Sequence, residues 1–296
     1  MTEHDTSAER SGAPTVRRVE RRDETLVTHH EADLARLIEE RFARQAEASA
    51  RIAELAKQRN APIQRLVEKD SAAKAALIEF RDSRIAELEA RVSSRAVSYT
   101  FGGPHGPSLL PSLHPGINVF GTPFDFEIRE PVSGEVEVSA NRFTGTHSVL
   151  LHWGKGGGRW ATAGVSLVLE AGVTGVARLR PAWHYQYQGI ARGHHLGSHS
   201  EGAARLVARD AISGAILTDR SRPLWNFDDD NWEDGDGYIP SWALGADFLV
   251  QAGQIFNVTF LASAFVHDSG TDYWFGWSLA RAWLEMRVLF LVVELG

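Results

Sequence analysis

One break in composition, at about residue 95, decides most of what this chain can fold into. Residues 1–95 contain one glycine, Gly12, no tryptophan, and two aromatic residues, Phe42 and Phe80. Residues 96–296 hold the other 26 of 27 glycines, all nine tryptophans and 26 of 28 aromatic residues. The first stretch carries 18 basic and 18 acidic side chains, so no net charge; the second carries 13 against 20, which is the whole −7 of the chain. A glycine-poor, charge-balanced segment and a glycine- and aromatic-rich one obey different packing rules. The sequence therefore predicts an α+β chain in two segregated parts, a helical or coiled-coil arm followed by an all-β antiparallel sandwich.

Finer boundaries follow from the same reading. Residues 1–22 are polar and lack bulky apolar groups, which predicts a disordered tail. Over 23–95, Leu34, Leu37, Ile38, Ile52, Leu55, Ile63, Leu66, Leu77, Ile78, Ile85, Leu88 and Val92 fall mostly three or four apart among good helix formers. The apolar stripe is narrow, which suits a helix–helix seam, so a homo-oligomer assembled through 23–95 is expected. Pro62 cannot donate its amide inside a helix, so a kink or a turn is expected there, with Asn60 as N-cap. Whether the arm is one kinked rod or an antiparallel hairpin is left open. The glycines and prolines of 96–121 predict a semi-rigid connector.

From residue 122 to 296 the period becomes two. Phe124–Glu130 and Glu135–Ala140 read as a hairpin, and Gly154–Gly158 as a flexible hairpin tip. Ile255–His267 and Trp274–Glu294 read as the clearest strands, the second apolar on both faces at its end and so central or covered. Nine or ten strands with no helical pattern between them predict a jelly-roll-like sandwich. In architecture the build resembles coiled-coil-plus-jelly-roll assemblies such as viral fibres and trimeric lectin-like proteins.

Candidate sites are few. Six carboxylates crowd into 228–236, with Asp228, Asp229, Asp230, Asp234 and Asp236 as oxygen ligands for a calcium ion. Gly235 fits no EF-hand register, and a solvated loop anchored by tryptophans is the simpler reading. Trp225, Trp232, Tyr238 and Trp242, interleaved with those acids, offer stacking faces for a carbohydrate or protein ligand. His184, His194, His195 and His199 form a second metal candidate, provided the fold brings them together. On Trp183–Gln188 the aromatics are expected to face the core, and His184, Gln186 and Gln188 to face solvent or a shallow groove.

The exclusions are broader than the candidates. The absence of cysteine removes disulfides, thiolate metal sites and cysteine nucleophiles. The Gly154–Gly158 loop lacks the ending of a phosphate loop, and no serine elbow occurs. Charges that cancel along the arm give no basic face for nucleic acid. No apolar run is long enough for a transmembrane helix and no signal-peptide pattern is present, so a cytoplasmic protein, or one exported without a recognisable signal, is expected, with virion association a further option. Organic cofactors are not expected. The reading is a non-enzymatic structural or binding protein whose arm oligomerises a loop-presenting sandwich. Two alternatives stand beside it: a membrane-active pore former, and a histidine-metal enzyme on a cupin-like sandwich.

Overall fold

In the computed structural model, which describes residues 16–19, 25–94, 117–131, 136–152, 156–194, 197–228, 231–239, 242–269 and 277–296, the compositional break is a structural one. Two helices, α1 (Thr25–Val67) and α2 (Ser71–Ser94), precede a sandwich of mostly antiparallel strands. Helix α1 continues through Pro62 and stops at Glu68–Asp70 instead. The break falls there because Asp70 accepts the amides of Ala72 and Ala73 at 3.0 and 3.1 Å, an N-cap for α2. Asn60, expected as the cap, lies inside α1.

The strands are β1 (Val16–Arg18), β2 (Ile117–Gly121), β3 (Phe126–Pro131), β4 (Val136–Asn141), β5 (Thr146–Leu151), β6 (Gly157–Ala171) and β7 (Gly175–His194). They continue with β8 (His199–Asp210), β9 (Ile216–Asp228), β10 (Asn231–Ile239), β11 (Ala246–Val250), β12 (Ile255–Asp268) and β13 (Trp277–Leu295). One sheet runs β1-β6-β12-β8-β9 with β3 also on β6; the other runs β10-β7-β13-β5-β4, with β11 on β7 and β2 on β13. We call them sheets A and B. Two expectations about the ends of the arm shift accordingly. Val16–Arg18, within the expected tail, form an edge strand on β6, and Ile117–Gly121, within the expected connector, form a strand on β13. The rest of the tail to residue 15, and residues 95–116, lie outside the described residues.

Chain neighbours mostly belong to opposite sheets. Strand β3 pairs with β6 and β4 with β5, so the expected hairpin at Pro131–Gly134 is a crossing between sheets. The Gly154–Gly158 segment likewise joins β5 of sheet B to β6 of sheet A, and Gly157 and Gly158 are already strand. Period-two patterning shows which side chains face inward, but a strand of either sheet has an inward face, so alternation does not say which sheet a strand joins.

The core lies between the sheets. Phe124, Trp183, Phe256, Phe260, Leu167, Leu206, Leu284 and Met286 are among its fully buried members. Strand β13 is central in sheet B, with β7, β5 and β2 as partners. Its register shifts between Val288 and Phe290, a bulge that reverses which residues face inward: Leu284, Met286 and Val288 before it, Leu291, Val293 and Leu295 after it, all reach the core. That reversal is the physical content of the apolar run on both faces.

Helix α1 lies on the outer face of sheet A. Phe42 stacks on Phe265, ring centroids 5.6 Å apart and 3° from parallel, and meets Trp160 at 6.1 Å. Gly158 makes this approach possible, since a Cβ there would sit 2.5 Å from that of Ala46. Beyond Ala46 the helix leaves the sheet, and Ile52, Leu55, Ile63 and Leu66 are each more than half exposed. Helix α2 brings Ile85 and Leu88 against Trp277, Leu279 and Trp232 at the same end of the sandwich. Two contacts at one end, Phe42 and Ala46 on α1 and Ile85 and Leu88 on α2, lie about forty residues apart along the chain, which requires the pair to double back as a hairpin.

Candidate functional site

The two outer faces of the sandwich are treated differently. On sheet A the outward side chains of β6, β12 and β8 include Thr162, Ser166, Val207, Asn257, Thr259, Leu261, Ser263, Phe265 and His267, and every one is buried. Phe42 of α1 closes over this face. On sheet B the corresponding rows stand open. Cross-strand register places Tyr238, His184, Arg287 and Thr146 in one row, and Asp236, Gln186, Glu285, Ser148 and Ser139 in the next. The row after that is Asp234, Gln188, Trp283, Leu150 and Glu137. Most of these side chains are exposed or half-buried, Gln186 being the buried exception.

The face is organised by its own hydrogen bonds. Gln186 Nε2 donates to Glu285 Oε1 at 3.1 Å, and Arg281 donates to Gln188 Oε1 at 2.9 Å. The hydroxyls of Ser139 and Ser148 meet at 2.8 Å, and His152 meets Glu137 at 3.0 Å. The His184 ring packs against Tyr238, centroids 4.8 Å apart. Partial burial pushes the Glu285 carboxyl up, with the Gln186 bond opposing, and pushes the Arg281 guanidinium down. Burial likewise lowers His184, with Asp236 opposing and Arg287 reinforcing. These are planar donors and acceptors held in fixed orientation beside aromatic surface, the combination that orients a polar ligand.

The acidic segment is not a loop. Residues Asn231–Ile239 form β10, with Asp234 and Asp236 outward on sheet B. Gly235 and Gly237 face inward because Tyr187 and Tyr185 lie beneath them; a Cβ would come within 2.9 and 3.1 Å of those side chains. The alternation Asp-Gly-Asp-Gly-Tyr is thus strand patterning, and period two was the signal that charge crowding concealed. Asp228 ends β9 in sheet A, 2.8 Å from His199 Nδ1, so the carboxylates are divided between two sheets. Asp229 and Asp230 lie outside the described residues.

The aromatic candidates separate too. Trp225 is 3% exposed, stacks on Tyr187 at 4.8 Å and donates its indole N–H to Ser200 Oγ, so it belongs to the core and has no face for a ligand. Trp232 packs against the α2 contact, Tyr238 stands on the open face, and Trp242 is 79% exposed in the turn after β10. His184 lies on the outside of sheet B and His199 on the outside of sheet A, which prevents the two from sharing an ion. The His194 side chain and His195 lie outside the described residues. Among the described residues no group of three or more His, Asp or Glu is placed to hold a metal ion.

His199 serves the joint with α1. Its Nε2 lies 3.2 Å from Gln45 Nε2, and Gln45 donates to Glu201 Oε2 at 3.0 Å. Arg41 reaches Glu201 at 3.5 Å. Burial opposes charge on both groups, yet Glu201 and Asp228 together raise His199, and His199, Gln45 and Arg41 together lower Glu201. Residues missed by sequence reasoning as ligand candidates are Gln186, Gln188, Arg281, Trp283 and Glu285. The alternation on β7 placed Gln186 and Gln188 outward; nothing in sequence told which strand's outward residues stand beside them.

No protein family and no curated protein matches the chain. Among solved structures, a CBM4 structure overlaps 51% of this chain and 89% of its own, at 15% identity and a TM-score of 0.16. A carbohydrate-binding module of the β-sandwich superfamily overlaps 56% and 54%, at 10% identity and 0.17. The infectious bursal disease virus Gx strain structure overlaps 58% and 41%, at 12% identity and 0.16. Overlaps this low assign neither a family nor a function. No helix among the described residues is long and apolar enough to cross a membrane, which leaves membrane crossing by strands untouched.

Proposed function

We propose that this chain is a non-enzymatic binding protein whose ligand is a carbohydrate laid across the outer face of sheet B. One observation carries the reading: the outer face of sheet A is buried, with α1 upon it, while the rows of sheet B clear of α2 present an accessible array of Gln188, Arg281, Glu285, Trp283 and Tyr238, with the buried Gln186 amide orienting Glu285. Amide, carboxylate and guanidinium groups match the paired hydroxyls of a sugar, and the aromatic rings offer apolar surface for its C–H faces. The strand orders β5-β13-β7-β10 and β6-β12-β8-β9 support a jelly-roll description of the scaffold. A glycan array probed with the full chain tests the reading. Binding that Trp283→Ala and Gln186→Ala abolish supports it; no binding to any glycan, or binding indifferent to both changes, removes it.

A second reading concerns assembly. The more than half exposed Ile52, Leu55, Ile63 and Leu66 favour self-association through α1, in coiled-coil fashion, which would multiply weak single-site contacts. Light scattering on the full chain tests it. A defined oligomer that Leu55→Ser with Leu66→Ser dissociates supports it, and a monomer ends it.

A further inference from the structure

The joint between α1 and sheet A rests on two imidazoles that face each other. His199 of β8 and His267 of β12 are cross-strand partners, and His267 stands in turn opposite Gly158 of β6. Helix α1 touches the residue on either side: Gln45 reaches His199 at 3.2 Å, and Ala46 lies over Gly158, where a Cβ would come within 2.5 Å of its own. His267 is thereby enclosed beneath the helix and is 4% exposed. The apolar anchor stands in the next row, where Phe42 meets Phe265 and Trp160.

No anion is placed to receive a charge on His267. Among the described residues it makes no hydrogen bond and no ion pair. The acids nearby are committed to other cations. Glu201 is held by Gln45 and Arg41 of α1 and lies 3.6 Å from His199. Asp228 of β9 binds His199 at 2.8 Å, and Asp268, next along β12, is paired with Arg159 of β6. The other charges of α1 here, Arg44 and Glu47, are exposed. Burial, His199 and Arg159 together push His267 down to about 4, while His199 is raised and keeps its proton as pH falls. With the helix lifted, His267 would accept a proton near 6.5, so docking is whole above that pH and weakens as pH falls toward 4. One pair acts oppositely: Glu39 of α1 lies near the half-buried Glu130 of β3, which burial and that neighbour push up, and acid relieves their repulsion. That relief is confined to the carboxylate range, below the pH at which His267 begins to act. We propose that α1 is an acid-released strap: a second protonated imidazole beneath Gln45 and Ala46 lifts residues 39–47 and uncovers the Trp160, Leu261 and Phe265 surface of sheet A.

Native-state hydrogen exchange on the full chain at pH 7, 6, 5 and 4.5, corrected for intrinsic rates, tests this. Amides of 39–47 should lose roughly tenfold or more protection between pH 7 and 4.5, against a ceiling of about a hundredfold for a group moved from about 6.5 to about 4. Amides of β7 and β13 should stay better protected than these at every pH. His267→Gln should hold the acid loss below about threefold while keeping the protection seen at pH 7. Should His267→Gln fail to fold, the ring proton resonance of His267 decides: its midpoint, about 4 in the wild type, should rise toward 6.5 in Phe42→Ala, which frees the helix. Protection of 39–47 that ignores pH, an acid loss that His267→Gln retains, an unmoved midpoint in Phe42→Ala, or exchange of 39–47 only together with β7 and β13 overturns the proposal.

Discussion

Replacing Phe42 by alanine should release α1 from the sandwich while leaving the two sheets intact. The ring is 3% exposed and is held between Phe265 and Trp160, above Val207, Leu261 and Ile128. Burying a phenylalanine removes roughly 150–200 Å² from water, worth about 4–5 kcal/mol at about 25 cal/mol per Å². Alanine keeps the Cβ and the helix can settle partly into the gap, so a loss of about 3–4 kcal/mol is expected. Alanine is the better helix former, so intrinsic propensity works against the loss and cannot be its cause. The deficit falls on docking, because Phe42 stands on the helix and the Arg41 and Gln45 contacts to Glu201 depend on the same approach. Native-state hydrogen exchange reads this directly: amides around 39–47 should lose about two to three orders of magnitude of protection, and core amides of β7 and β13 should not. Arg59→Ala, at an exposed position of the same helix, should change stability by less than about 0.5 kcal/mol. Equal small effects at both sites would show that α1 does not rest on the sheet, and the docking argument would fall.

Three further outcomes follow from buried groups. Asp268 is fully buried, is paired with Arg159, and accepts the amides of Gly156 and Ala280 at 3.1 and 3.3 Å. Asp268→Ala strands the guanidinium and should cost about 3–5 kcal/mol in urea unfolding, and a cost below about 1 kcal/mol would deny that pair its place. Burial pushes His147 and His267 down to about 4, with His199 and Arg159 adding to the shift of His267. Their unfolded forms protonate near 6.5, so the stability they confer is whole above that pH and declines as pH falls toward 4, by about 1–3 kcal/mol each. His199 is raised and acts oppositely: its contribution is whole below 6.5 and is lost as pH rises through the folded value. Urea midpoints should therefore fall between pH 6.5 and 4, less steeply in His267→Gln; a flat profile would contradict this. Gly202→Ala would place a Cβ about 2.0 Å from the Trp225 ring and should lower stability by about 1–3 kcal/mol, measured by thermal unfolding, whereas wild-type behaviour would mean that Trp225 is not fixed there.

The sequence showed the two-part build, most strand cores and the inward aromatics of β7, because all three are written in local periodicity. What it concealed is non-local. Chain neighbours such as β3 and β4, or β12 and β13, sit in opposite sheets, and no local pattern distinguishes a tight hairpin from a crossing. The acidic β10 escaped notice because its outward aspartates look like loop residues until the inward glycines are matched to Tyr185 and Tyr187 on the neighbouring strand. The helix break moved from Pro62 to Asp70, where a side-chain cap outweighs a missing backbone donor. The open face was hardest to see, since Gln186 and Glu285 stand ninety-nine residues apart and meet through register alone.

The nine tryptophans supply the most direct test of the carbohydrate face. Each indole N–H of a ¹⁵N-labelled chain reports its own surroundings, and these are distributed over the molecule: Trp283 on the open face, Trp160 beside α1, Trp183 and Trp225 in the core, Trp242 in an exposed turn, Trp277 beneath α2. Titration with a glycan selected on the array should shift the Trp283 resonance, and leave those of Trp160, Trp183, Trp225 and Trp242 in place. A shift confined to Trp242, Trp160 or Trp277, with Trp283 unmoved, would put the ligand elsewhere and contradict the account.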